Sequence, residues 1–356
     1  MGGLLRTYRG TGADLPFQDP TPAHPGVAME GYFWRVTVPE TGQVVIALIG
    51  VNQGPRGPWA TLGLAGHPQD SLTVDAHEGA GADPHRLGAW AGTAFVADAR
   101  SVRVDLGPDH LLDLVIEEPL RWPAGRLGGS SIFHSVPALN QYWHPWLLGG
   151  RARGHAILAG DRVDLTGGQV YGEKNWGAAG FPDSWWWGQA QGFADRGACV
   201  AFAGGQIHSG PLRTEVTAVV TRLPGGRVLR WGNPLTSPVR ATTSEDTWDF
   251  RGSMLRADGL WRIELHGYAP LARAHILPVP LPREHRNTAG DLEHLVGHLE
   301  VRVTRHRRPG VSPETVWSDT TELAALEHGG LQRAEAEIAR RGLPAGTTHA
   351  APEWSG

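Results

Sequence analysis

The sequence predicts an all-β fold built as two tandem antiparallel β-barrels with a short C-terminal helix. Three observations carry this. The 49 Gly and 27 Pro are spread along the whole chain and break up long helices. Alternating, β-branched runs come in pairs joined by short polar turns. The opening and closing segments of the first half recur in the second.

The hairpins follow in chain order. Gly31 to Val38 and Gln43 to Val51 flank Pro39-Glu40-Thr41-Gly42. Ser101 to Leu106 and Leu111 to Glu117 flank Gly107-Pro108-Asp109-His110. Ala156 to Leu158 and Val163 to Leu165 flank Ala159-Gly160-Asp161-Arg162. Val216 to Arg222 and Arg227 to Trp231 flank Leu223-Pro224-Gly225-Gly226. Trp248 to Leu255 and Leu260 to His266 flank Arg256-Ala257-Asp258-Gly259. Leu299 to Thr304 and Glu314 to Trp317 flank a basic loop, Arg305-His306-Arg307-Arg308, ahead of Pro309. Such even spacing argues for a barrel, with an open sandwich as the alternative. One helix is expected, over about Leu331 to Arg341, where Ala, Glu and Arg are rich and Gly342-Leu343-Pro344 stops it.

The internal repeat sets the organisation. Gly31-Tyr32-Phe33-Trp34 leads into Val44 to Leu48, as Ser184-Trp185-Trp186-Trp187 leads into Ala198 to Phe202. Gly154 to Leu158 leads to Val170-Tyr171-Gly172-Glu173, as Gly297 to Val301 leads to Val316-Trp317-Ser318-Asp319. A separation of about 150 residues suits one barrel per half, and about eight strands enclose one small ligand. The boundary falls near residues 178–182, giving halves of 1–178 and 179–356.

Composition excludes several classes. A net charge of −4 gives no footprint for nucleic acid. The one cysteine, Cys199, rules out an internal disulfide and sits in an apolar run as a core residue. There is no apolar signal segment at the N-terminus and no stretch of about 18 apolar residues. A cytoplasmic location is expected. Peripheral membrane contact stays open, since a lipid-like ligand comes from a bilayer. The 17 His form no established ligand pattern, so no metal is expected. There is no dinucleotide fingerprint, P-loop or nucleophile elbow. The 15 Trp suit either a lined cavity or a barrel core. Oligomeric state is not legible.

A long ordered motif then stands out. Tyr171-Gly172-Glu173-Lys174-Asn175-Trp176-Gly177 is followed by Phe181-Pro182 and Trp185-Trp186-Trp187-Gly188-Gln189. This resembles the signature of tocopherol cyclases and their bacterial relatives. Further matches keep the family order: His24 before Glu30 to Arg35, Gly149 to Gly154, Asp319-Thr320-Thr321, and Leu326-Glu327-His328-Gly329-Gly330. The resemblance runs from about residue 22 to 330. It implies a pair of lipocalin-like domains, shared with carotenoid-hydratase-like proteins. Two departures leave the substrate open. His24-Pro25-Gly26 stands almost directly before Glu30-Gly31-Tyr32, and a Cys-Arg-Asp element is absent, with Gly290-Asp291-Leu292 nearby.

The resemblance implies closure of a chromanol ring on a prenylated hydroquinone, without metal or redox cofactor. An acid protonates the prenyl alkene, a base or acceptor takes the phenolic proton, and a dry aromatic wall tolerates the tertiary cation. Glu173 is the first candidate donor, with a structural ion pair to Lys174 or an Arg as the alternative. If the segment is extended, Glu173 and Lys174 point to opposite faces, and Asn175 shares the face of Glu173. Asn175 is a candidate for orienting acid or phenol, or else a turn former. Asp319 is the second carboxyl, as repeat partner of Glu173. Tyr171, Trp176, Trp185, Trp187, Gln189, His24 and Trp34 are candidate substrate contacts, each with an ordinary core or loop role as the alternative. So are Tyr142 and His144, in a polar and aromatic cluster from His134 to Trp146 suited to a lid. Two other functions stay open: a non-catalytic isoprenoid or quinone carrier, and a prenyl-alkene hydratase.

Overall fold

The computed structural model describes residues 2–307 and 312–352. Its strands are antiparallel throughout, and all six expected hairpins form. Thirteen strands between Met29 and Gly177 make one continuous sheet. Twelve more, from Trp185 to Gly329, make sheets of seven and five strands. The expected C-terminal helix spans Leu331–Arg340 and seats Ala334 and Ile338 on Ile276, Ala289 and Leu292. A second helix, Gly2–Arg9, was not expected. No helix among the described residues is long and apolar enough to cross a membrane.

The ladders do not close into complete rings among the described residues. The outer strands of the thirteen-stranded sheet are Ser71–Glu78 and the three-residue Ala80–Ala82. The chain steps from one edge to the other through Gly79. In the seven-stranded sheet one edge is His275–Leu281. Pro278 and Pro280 offer no N–H there, so the ladder stops.

The basic run begins inside a strand rather than a free loop. Arg305 and His306 end the strand His298–His306. Arg305 pairs with Glu314 at 2.9 Å and stacks over Trp261. Arg308 lies outside the described residues.

The opening strand Met29–Val38 pairs on one side with Gln43–Gly54 and on the other with the closing strand Gln169–Gly177. Trp185–Ala190 is held the same way, between Cys199–Ser209 and Ala324–Gly329. This corrects one part of the repeat. The counterpart of Gln169–Gly177 is Ala324–Gly329, and not residues 316–319. The latter lie in the edge strand Glu314–Thr321 of the five-stranded sheet, which alternates between exposed and buried residues. The strand Ala324–Gly329 is almost wholly buried, as a closing strand between two neighbours must be.

Each half has its own apolar core. A third cluster spans both, joining Phe33, Trp143 and Tyr171 to Phe181, Trp185, Trp187 and Val279. The candidate site lies against this cluster.

Candidate active site

The strand Gln169–Gly177 alternates, and its two faces have different chemistry. One face presents Tyr171, Glu173 and Asn175. The other presents Lys174 and Trp176.

On the first face Glu173 is buried and has no cation in ion-pair range among the described residues. Its Oε2 accepts three hydrogen bonds, from Tyr171 Oη at 2.6 Å, Trp143 Nε1 at 2.8 Å and Trp187 Nε1 at 2.8 Å. An oxygen already accepting three donors has no place for a proton, so the acidic hydrogen sits on Oε1. Burial raises the carboxyl and the three donors pull it back, leaving a pKa of about 7. The donors also stabilise the carboxylate left after proton loss. Asn175 lies over Gly31, where a Cβ would stand 2.5 Å from its Oδ1. Glycine at 31 keeps that amide at the cavity wall.

The opposite face is a buried ion cluster. Lys174 Nζ lies 3.3 Å from Glu30 Oε1, 3.0 Å from His24 Nδ1 and 2.8 Å from the Pro22 carbonyl. His24 bridges Asp14 and Glu30 and stacks on Trp176 at 4.4 Å. Burial alone would raise Glu30, yet Lys174 and His24 hold it down to about 2. This cluster pins the segment before Met29 against the sheet.

Glu173, Asn175, Trp185 and Trp187 line one cavity of about 190 Å³, with Phe33 and Trp143. That is room for a ligand rather than a single ordered water. Tyr142 also lines it, with its hydroxyl bound to the Val136 carbonyl at 2.6 Å. Gln141 comes from the cluster expected to act as a lid, and Ser130 and Phe133 lie just before that cluster.

The other sequence candidates lie elsewhere. Tyr171 sits behind Glu173 as a hydrogen-bond donor. Gln189 continues the face of Trp185 and Trp187, but accepts from Arg35 Nη1 at 2.9 Å. Trp34 packs in the first-half core. Trp176 faces the ion cluster, because it falls on the even-numbered side of the strand, and His24 is part of that cluster, in the segment before Met29. His144 is buried, and its Nδ1 accepts from the Gly129 amide at 3.2 Å. Asp319 accepts from the Ala194 amide at 3.1 Å, at the exposed edge of the five-stranded sheet.

The cavity holds three carboxyls that sequence reasoning passed over. Asp291, Glu293 and Glu327 line it, with one oxygen of each within 4.8 Å of the others. Trp185 Nε1 donates to Glu327 Oε1. Trp143, in the signature's neighbouring cluster, was likewise not singled out. The signal was a carboxylate inside an apolar strand, as in Ala324-Ala325-Leu326-Glu327.

The profile of the tocopherol cyclase-like family matches residues 129–330, more than half of the chain. The chain belongs to this family. A segment of 73 residues is 37% identical to a probable chloroplastic tocopherol cyclase of Oryza sativa subsp. japonica, covering 20% of this chain and 15% of that protein. The match to this relative is thus confined to a small part of its length. The solved structure of CghA superposes with a TM-score of 0.55 at 10% identity, over 90% of this chain and 93% of CghA. CghA with Sch210972 gives 0.54 at 11%, over 90% and 94%. These two likenesses bear on the fold. The family's matched region contains both Glu173 and Glu327.

Proposed function

We propose that this protein binds a prenylated hydroquinone or a related isoprenoid in the cavity, protonates its alkene and closes a chromanol ring. The observation that carries this is Glu173: a buried carboxyl with no counter-cation among the described residues, held near a pKa of 7 and facing an aromatic cavity. Membership in the tocopherol cyclase-like family supports the same reaction type.

The geometry supports the following chemistry. Glu173 gives its Oε1 proton to the less substituted alkene carbon. The tertiary cation forms beside the faces of Trp185, Trp187 and Phe33, whose quadrupoles favour it. The phenolic oxygen then forms the C–O bond and loses its proton. The apolar lining limits competing attack by water, which would give an alcohol instead. Delivery of the substrate from a membrane surface is part of this reading, since a prenyl chain partitions into lipid.

Incubation in deuterated water separates the three functions. Cyclisation gives a product with one carbon-bound deuterium and no added oxygen. Hydration adds the elements of water. A carrier returns its ligand unchanged, and that outcome would overturn the proposal.

A further inference from the structure

Glu173 and Glu327 hold corresponding places in the two halves. Each lies on the closing strand of its half, paired with that half's opening strand. Glu173 is the register partner of Phe33, and Glu327 of Trp187. Each carboxyl takes an indole N–H from the same strand: Trp187 donates to Glu173, and Trp185 to Glu327. Gly329 makes the second contact possible. A Cβ there would stand 1.7 Å from Trp185 Cε2, so the indole lies directly over that backbone.

The neighbours of Glu327 are acidic. Glu293 is its register partner across the next strand, and an Asp291 oxygen lies within 4.8 Å of it. Asp291 Oδ1 and Glu293 Oε1 are buried without a hydrogen-bond partner among the described residues, although Asp291 is 7% and Glu293 2% exposed. Such orphaned oxygens beside a cavity are set to meet a ligand's polar atom. The charged groups around Glu327 are these two, Glu173 across the cavity, and Arg35, whose attraction reaches Glu293. The strand Trp185–Ala190 contributes no ionisable side chain.

We propose that Glu327 is a second catalytic carboxyl, which takes the phenolic proton as Glu173 gives one to the alkene. This rests on the cyclase reading. The atoms balance: the alkene π bond, the Glu173 O–H and the substrate O–H break. A C–H bond, the ring C–O bond and a Glu327 O–H form. The substrate is isomerised, and one proton has moved from Glu173 to Glu327. It returns by exchange with water when the product leaves. Trp185 donates to Glu327 Oε1 and holds that acceptor oxygen in place. Burial and the charge of Glu173 raise Glu327 to about 8, and the Trp185 donor holds it back. That charge is absent when Glu173 holds its proton, so Glu327 ionises more readily in the reactive state; near neutral pH its base form is the minor one and grows as pH rises.

The test is the pH profile of turnover of a prenylated hydroquinone by the full chain. One essential acid gives a loss only on the alkaline side. An acid and a base give a bell, with a second loss on the acid side. Glu327→Gln is expected to lower turnover by about 10²-fold while Trp fluorescence still reports ligand binding. Trp185→Phe, which keeps an aromatic ring and removes the donor, is expected to move the acid limb of the bell. A profile without an acid limb, or Glu327→Gln turning over at the wild-type rate, overturns the proposal and leaves the cyclase reading standing. Loss of turnover on chelation, restored by a divalent cation, would make the three carboxyls a metal site and also overturn it. Wild-type protein that converts nothing defeats the cyclase reading itself.

Discussion

Trp187 donates its indole N–H to Glu173 at 2.8 Å, across a gap that separates two different sheets. The bond links the strand Gln169–Gly177 to Trp185–Ala190, so the acid is tuned from both halves of the chain. Trp143 adds an equal bond from the strand Tyr142–Leu147, which pairs with Gln169–Gly177. Replacing either Trp by Phe keeps the ring and removes a donor that favours the carboxylate. A hydrogen bond to a charged group contributes about 1.5–3 kcal/mol, so Glu173 should ionise about one to two pH units higher. The infrared carboxyl band lost in Glu173→Gln, followed with pH, reads this directly. An unmoved titration in both variants contradicts the assignment of the donors.

The two faces of the signature strand should respond differently to mutation. Lys174→Met leaves Glu30 buried without its ammonium partner, and is expected to lower stability by about 3–5 kcal/mol in urea unfolding. Glu173→Gln removes no ion pair and keeps an acceptor for the three donors. Its unfolding midpoint at neutral pH should not fall below that of wild type. If Glu173→Gln were the more damaging of the two, Glu173 would be a structural group.

The pH dependence of stability has a definite sign. Folding raises Glu173 from 4.5 to about 7, so the folded state binds more protons between these values. The stability it contributes is complete below 4.5 and is lost as pH rises through about 7. The melting temperature of wild type, relative to Glu173→Gln, should therefore fall between about pH 5 and about pH 8. A difference that stays constant or rises contradicts the raised pKa.

Much of the fold was legible because hairpins are local. Alternation and turn residues place both strands of a pair, as at Thr247–Arg256 and Gly259–Tyr268. The faces of Glu173 and Lys174 were legible for the same reason, from period two alone. The closing strand of the second half was not. Val316-Trp317-Ser318-Asp319 looks more like Val170-Tyr171-Gly172-Glu173 than Ala324-Ala325-Leu326-Glu327 does. Only the pairing to Trp185–Ala190 shows which strand closes that sheet. So Asp319 took the place that belongs to Glu327. Trp176 was expected at the cavity by its nearness in the motif, and alternation puts it on the face of Lys174.

Trp185 and Trp187 line the cavity, so a bound prenylquinone should quench their emission. With 15 Trp in the chain the background is large, and the comparison has to be with Trp185→Phe and Trp187→Phe. Each variant should lose part of the quench. A saturating titration with no quench in wild type counts against a ligand of this class.

The central claim is that Glu173 is the proton donor. Turnover of a prenylated hydroquinone by wild type and by Glu173→Gln, on preparations matched by melting temperature, tests it most directly. The expected result is a fall of about 10²-fold or more, the usual contribution of a positioned general acid, with ligand affinity little changed. Equal turnover per folded molecule would contradict it.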